Sequence, residues 1–421
     1  MKLKGFRSRL NSPDFQNQLW TLISMGTVAI FPTVLVFIMT RRIGLAYAGM
    51  FTLAHALIDL PVAMTLFNVR IFQNLDVKQE MKFNVYLGHR TVFALLASLI
   101  FVIFLFFAEY ETLQLIVILL VFSIFMSNVL SDVFMGELQR KGKMRMAGKM
   151  QASVFAGALI AAIAVVFVTN SLIATLATAA SVVFAGYIAF IIFYRKHFES
   201  IRISFDFSAI KKLTLTVFPI FITGFLFTYL FNAQKYYIDA FVSIEAVAIY
   251  GFLLIPVGLL NIASTGFFSG AVATKTAEIF ASNQEKLFKK RVRIQLLLAL
   301  GLFVPFITIA YFWGIPLLSW ISGVDLSAYK TVFMILSLGA IARAPDYVIT
   351  PVLVMLKKQK VMLYASISVA VIAGPTMLLL VLNHGMFGAA FSTFVLFLPR
   401  TILLYVIYVV AMRKRKGVGE T

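Results

Sequence analysis

The chain has 421 residues, 61% of them hydrophobic and only 13% charged. Soluble domains are roughly half apolar and about a quarter charged, so most of this chain has to lie in lipid. The formal charge of +20 falls between apolar runs rather than on a soluble module, which excludes a nucleic-acid-binding reading, and the absence of cysteine excludes disulfides, thiolate catalysis and cysteine-held metal.

A membrane-spanning helix takes about twenty mostly apolar residues, leaving room for about twelve spans and no separate soluble domain. The first eighteen residues, Met1 to Gln18, are polar, and the apolar run after them is too long for a signal-peptide core, so no cleavage is expected. Six spans are expected at Leu19–Thr40, Ala46–Phe67, Thr91–Phe107, Leu113–Phe134, Ala152–Val168 and Leu172–Tyr194. Six more are expected at Leu213–Ala233, Val247–Ala273, Ile294–Trp313, Tyr329–Leu356, Val361–Leu382 and Met386–Met412. The polar linker Arg195 to Lys212 separates these groups, giving lobes over residues 1–200 and 201–421. A faint repeat agrees. Leu138-Gln139-Arg140-Lys141-Gly142-Lys143 ends the fourth span as Met355-Leu356-Lys357-Lys358-Gln359-Lys360 ends the tenth, and Tyr47-Ala48-Gly49 is echoed by Ile249-Tyr250-Gly251.

Orientation follows from lysine and arginine, which stay on the cytoplasmic side. The amino-terminal segment, the connections after each even-numbered span and the segment Arg413 to Lys416 together hold 31 of the 37 basic residues, so both termini are expected in the cytoplasm. Arg41, Arg42, Lys235, Lys330, Arg343 and Arg400 remain, and topology does not explain them. Arg343 falls midway along the tenth span with Asp346 one turn later, which reads equally as an internal ion pair or as part of a site. Arg400 falls midway along the twelfth span with no acid nearby in its own helix, and a charge at that depth calls for a cavity or a partner. His55 and Asp59 share a face of the second span just before Pro61 and suit proton coupling or lobe packing, with Asp59 pairing Arg343 or Arg400 as the simpler role. The other basic residues at span ends either snorkel or line a cationic path for an anionic headgroup. No phosphate loop and no cluster of metal ligands is present, so an enzyme, a cofactor and a bound metal are not expected.

The stretch Arg41-Arg42-Ile43-Gly44 with Tyr47 and Gly49 resembles the junction of the first two helices in the polysaccharide transport family, the Wzx-type lipid-linked oligosaccharide flippases. Val69 to Lys78, followed by Tyr86 and Arg90, is similar to a second segment of that family, with Leu75 in place of the usual serine. Asp132, Gly136, Gln139-Arg140 and Met144 to Gly148 are similar to a third. Phe218-Pro219, Asn232 to Asp239, Tyr250-Gly251 and Pro256 are similar to a fourth, with Gln234 where proline is frequent. The resemblance extends over about residues 19–412 and is shared with a superfamily that includes multidrug and toxin extrusion exporters and lipid II flippases.

What the resemblance implies is an all-α integral membrane fold, twelve helices in two six-helix bundles around a central V-shaped cavity. The implied function is non-enzymatic: alternating-access flipping of undecaprenyl-pyrophosphate-linked oligosaccharide in the bacterial plasma membrane. Its implied partners are the polyprenyl-pyrophosphate-linked glycan, the lipid bilayer, a polysaccharide polymerase and a chain-length regulator. Arg41, Arg70 and Lys235 are motif positions for headgroup binding, and Arg343 and Arg400 join them from burial logic; His55, Asp59 and Asp346 are assigned to coupling or packing. A cation-coupled exporter of amphiphilic drugs and a non-transporting scaffold in envelope assembly are the rivals. Because the chain lacks cysteine, Thr112→Cys should be labelled by an impermeant reagent in intact cells; labelling only after the cells are opened would invert the topology.

Overall fold

The computed structural model describes residues 13–75, 81–198, 201–269, 271–282 and 284–418, and among them there are helices and connections but no strand. The basic residues of the amino-terminal segment, and Asp76 to Lys78 of the segment after the second span, lie outside the described residues. Eleven helical stretches are long and apolar enough to cross a membrane, and the last holds two spans, which makes twelve among the described residues. The chain forms two compact units, Met1–Phe221 and Ile222–Thr421.

The first unit contains α1 (Pro13–Arg42), α2 (Leu45–Leu66), the short α3 (Val69–Leu75), α4 (Phe83–Phe107), α5 (Thr112–Arg140), α6 (Met144–Thr169) and α7 (Leu172–Phe193). Helix α1 packs on α6, α6 on α7, and α2 on both α4 and α5. Buried alanines Ala158, Ala162 and Ala179 allow close approach of α6 and α7, the small-residue packing that lipid-embedded helices use. Large apolar side chains such as Phe106, Val168 and Phe193 point outward, as expected where the solvent is hydrocarbon.

The long helix α8 (Phe207–Phe241) contains the boundary between the units. The second unit continues with α9 (Ile244–Ser269), α10 (Ala271–Ala281), α11 (Glu285–Gly301), α12 (Phe303–Ile309), α13 (Ile315–Ser322), α14 (Lys330–Arg343), α15 (Asp346–Met355) and α16 (Gln359–Val418). Its core joins Leu230 of α8 to Val369, Ala373, Met377, Leu396 and Phe397 of α16.

Helices outrun the apolar segments at their basic ends. Helix α4 starts at Phe83 rather than Thr91, α5 ends at Arg140 rather than Phe134, and α6 starts at Met144 rather than Ala152. An apolar run measures immersion in lipid, whereas an established helix continues through Glu, Gln, Lys and Arg, which are good helix formers. Prolines account for the interrupted spans. Pro305 and Pro316 each remove a backbone donor, and the ninth span is accordingly divided into α11, α12, a π-turn at Ala310–Gly314 and α13. In the tenth span Pro345 cannot donate to Ile341, whose carbonyl takes the Ala344 N–H at 3.0 Å instead.

Helix α16 is broken at Gly385, with φ 53° and ψ −132°, a conformation reserved for glycine. Three residues later a Cβ on Gly388 would lie 1.9 Å from the Leu380 carbonyl oxygen, so the two arms meet backbone to backbone. Gly388→Ala should therefore destabilise the protein by about 1–3 kcal/mol, the usual cost of overpacking. An unchanged melting temperature in detergent would contradict the close approach.

Candidate functional site

Each unit carries a buried or half-buried cluster of charge. In the first, Asp132 of α5 takes Arg70 of α3 on one carboxylate oxygen and Arg90 of α4 on the other, the latter at 2.9 Å. Arg90 is 3% exposed and also donates to the Thr65 carbonyl at 2.9 Å, which satisfies one of the open carbonyls in the last turn of α2. Arg70 reaches Gln139 Oε1 at 3.2 Å. The cluster ties α2, α3, α4 and α5 together, and Arg70 is held within it. Gly136 is a motif position with a steric reason: a Cβ there would stand 2.3 Å from Oε1 of the buried Gln73.

Nearer the basic end of this unit, fully buried Glu137 pairs with Arg140 at 2.7 Å and Lys141 at 3.1 Å. Lys143 Nζ lies 3.1 Å from His197 Nδ1. The His197 pKa is lowered by desolvation first, and then by Lys143, Lys196 and Lys141. That end of the unit is thus electropositive.

The second unit holds a cavity of about 360 Å³, lined by Phe227 of α8, Thr265 of α9, Arg343 of α14, Asp346 and Tyr347 of α15, and Arg400 of α16, among others. Arg400 is paired with Asp346, an acid 54 residues away on another helix. Arg343 and Asp346 do stand one turn apart, since Ala344 and Pro345 between them keep right-handed helical dihedrals, but the carboxylate is taken by Arg400 and not by Arg343. Arg343 makes no ion pair among the described residues. Aromatic rings surround it instead, with centroids at 4.8 Å for Phe227, 5.2 Å for Phe397, 5.5 Å for Tyr347 and 5.9 Å for Phe231. The Phe227 ring also faces Arg400 at 5.1 Å, so one ring serves both guanidiniums. The Thr401 hydroxyl lies 2.7 Å from the Ala342 carbonyl and 3.0 Å from Asp346 Oδ1. Two arginines around one carboxylate leave the cavity with a surplus positive charge.

The other expected residues are not among those that line this cavity. Arg41 is exposed at the end of α1, and Arg42 stacks on Phe167 at 4.4 Å. Lys235 donates to Asn232 Oδ1 at 3.1 Å, and Lys330 faces Tyr311 at 4.2 Å. His55 meets Phe125 edge-on at 4.7 Å, and Asp59 lies on the same helix, half-buried. Gln234, in the frequent proline position, donates to Ser392 at 3.1 Å and accepts from Tyr250 at 2.9 Å, joining α8, α9 and α16. Sequence reasoning missed the Arg90–Asp132 pair, the Thr401 hydroxyl and the aromatic cage. Phe227 and Phe231 do stand one turn apart, but 43 phenylalanines make that spacing uninformative.

No family model matches the sequence, and no curated protein matches it. Solved structures do match in fold. A mutant of the Vibrio cholerae MATE transporter VcmN is 14% identical over 97% of each chain with a TM-score of 0.64. An inward-facing multidrug resistance MATE family transporter of the MOP superfamily is 11% identical, covering 95% of this chain and 99% of its own, with a TM-score of 0.70. A Pyrococcus furiosus MOP superfamily transporter, described by a binding pocket of reverse polarity that suggests a different function, is 12% identical over 98% of each chain with a TM-score of 0.63. The chain therefore has the two-bundle, all-helical fold of these transporters.

Asp132 is the counter-ion of two arginines, so Asp132→Asn should cost about 3–5 kcal/mol, the usual effect of stranding a buried charge. Thermal unfolding of the purified protein measures it; near-wild-type stability would show that Arg70 and Arg90 do not depend on Asp132.

Proposed function

We infer that the chain is a MOP-type membrane transporter for an anionic amphiphile, working by alternating access, and that its substrate is a polyprenyl-pyrophosphate-linked oligosaccharide. The observation that carries this reading is the surplus positive charge of the second unit's cavity, where Arg343 has aromatic neighbours but no ion pair among the described residues. Guanidinium edges bind phosphate oxygens in pairs, and a phosphate there would neutralise a charge that is otherwise costly at this depth. A sugar chain cannot cross hydrocarbon unaided, because each unsatisfied polar group costs several kcal/mol. If two negative charges cross, an inside-negative potential of about 100 mV assists outward movement by about 4.6 kcal/mol.

A drug exporter is the second reading, favoured by the multidrug resistance transporter among the structural neighbours. The Pyrococcus furiosus neighbour, with its reverse-polarity pocket, speaks for variation of substrate on this fold. A cationic drug would be repelled by the Arg343 and Arg400 cavity, whereas a pyrophosphate is attracted. Arg41 and Lys235 are proposed to serve the headgroup outside the cavity, Arg70 being held by Asp132 instead, and the bacterial plasma membrane with cytoplasmic termini is the proposed setting.

Vesicles containing the purified protein separate the readings. Polyprenyl-pyrophosphate lipid should cross, and Arg343→Ala should slow it about tenfold to a hundredfold, the worth of charge-assisted hydrogen bonds. At Arg400 the rate should fall in the order wild type, lysine, alanine. Transport of a lipophilic cation with no movement of the pyrophosphate lipid would reverse the assignment in favour of drug export.

A further inference from the structure

Asp346 holds one end of the Arg400 guanidinium, whose Nε is buried without a hydrogen-bond partner among the described residues. That guanidinium is paired with one oxygen of the carboxylate, and the other oxygen lies beside the Thr401 hydroxyl. Arg343, by contrast, is ringed by aromatic faces with its edges still open to hydrogen bonding. The exchange inferred at these residues rests on the phosphate reading, in which a pyrophosphate diester brings two negative charges into the cavity. Beside an ionised Asp346 the sum would be one uncompensated negative charge at membrane depth, which is unfavourable. Beside a protonated Asp346, two arginines and two phosphate charges balance.

Hydrogen bonding at Thr401 fits both conditions. A hydroxyl has one proton to give, yet two acceptors lie within reach, the Ala342 carbonyl at 2.7 Å and Asp346 Oδ1 at 3.0 Å. With Asp346 ionised, that proton is shared between them. With Asp346 protonated, the hydroxyl can turn wholly to Ala342 and accept the new O–H on its lone pair, so the contact between Thr401 and Asp346 is kept in either condition.

We propose that Asp346 is an internal stand-in for the substrate phosphate: headgroup binding takes Arg400 from it, and Asp346 takes up one proton in exchange. The proton comes from hydronium in the aqueous phase, whose O–H bond breaks to leave water as the carboxyl O–H forms, and nothing is oxidised or reduced. Proton and headgroup therefore bind together. The charged and titratable groups facing Asp346 among the described residues are Arg400 of α16, Arg343 of α14 and Tyr347 of its own helix. Among those residues, helices α8, α9, α10 and α11 bring no charged side chain to the cavity.

The test is calorimetric titration of the purified full-length protein with the methyl diester of geranyl pyrophosphate between about pH 6 and about pH 8, comparing wild type with Asp346→Asn. Esterified at both ends, this probe keeps two negative charges throughout that range. Wild-type affinity, relative to the variant, should fall about tenfold for each pH unit gained, the slope for one linked proton. Asp346→Asn should bind more tightly than wild type at the alkaline end. Asp346→Ser, which also removes the charge, should behave alike and guards against a folding defect of the asparagine variant. Identical pH profiles for wild type and both variants overturn the exchange while leaving the phosphate site standing. No binding to any of the three overturns the phosphate reading itself, and the exchange with it.

Discussion

A guanidinium withdrawn from water needs a counter-charge or a set of π-faces, and the placement of four arginines under that requirement organises both units. Arg70 and Arg90 meet it through Asp132, with Thr65 and Gln139 completing their hydrogen bonds. The result is a fastening between helices. Arg400 meets it through Asp346, and Arg343 through Phe227, Phe231, Tyr347 and Phe397. A cation stabilised by rings keeps its full charge, so the second cluster retains an attraction for anions, in a cavity large enough to admit one. Similar residue types thus fasten helices in one unit and, on the proposed function, bind the substrate in the other.

Twelve spans were legible in the sequence because a lipid-crossing helix has to be apolar over a fixed length. Helix ends were less legible, since the apolar limits of the fourth and fifth spans mark the lipid boundary and not the last hydrogen bond of α5 or the first of α6. Pro305, Pro316 and Pro345 announced interruptions without saying of what kind; the π-turn at Ala310–Gly314 and the tightened turn at Ala344 depend on how the freed carbonyls find new donors.

The candidate site was legible in its charges and not in its pairings. Arg343, Asp346 and Arg400 stand out because charge is scarce in apolar runs. That Asp346 belongs to Arg400 follows from the packing of α15 on α16, which no spacing along either segment encodes. Arg90 lies among residues that topology already explains, so its burial had no separate signal. Gln234 departs from the frequent proline of the family it resembles, and its hydrogen bonds to Ser392 and Tyr250 give the departure a physical content. The likeness to MATE transporters at 11–14% identity carries the architecture, while the chemistry rests on these side chains.

If the second unit's cavity receives a phosphate between Arg343 and Arg400, an experimental structure of the protein with geranyl pyrophosphate bound should show it most directly. Phosphate density in contact with both guanidiniums, with Arg400 withdrawn from Asp346, is the predicted result. Phosphate bound elsewhere, with the Arg400–Asp346 pair intact and Arg343 still covered by its rings, would contradict it.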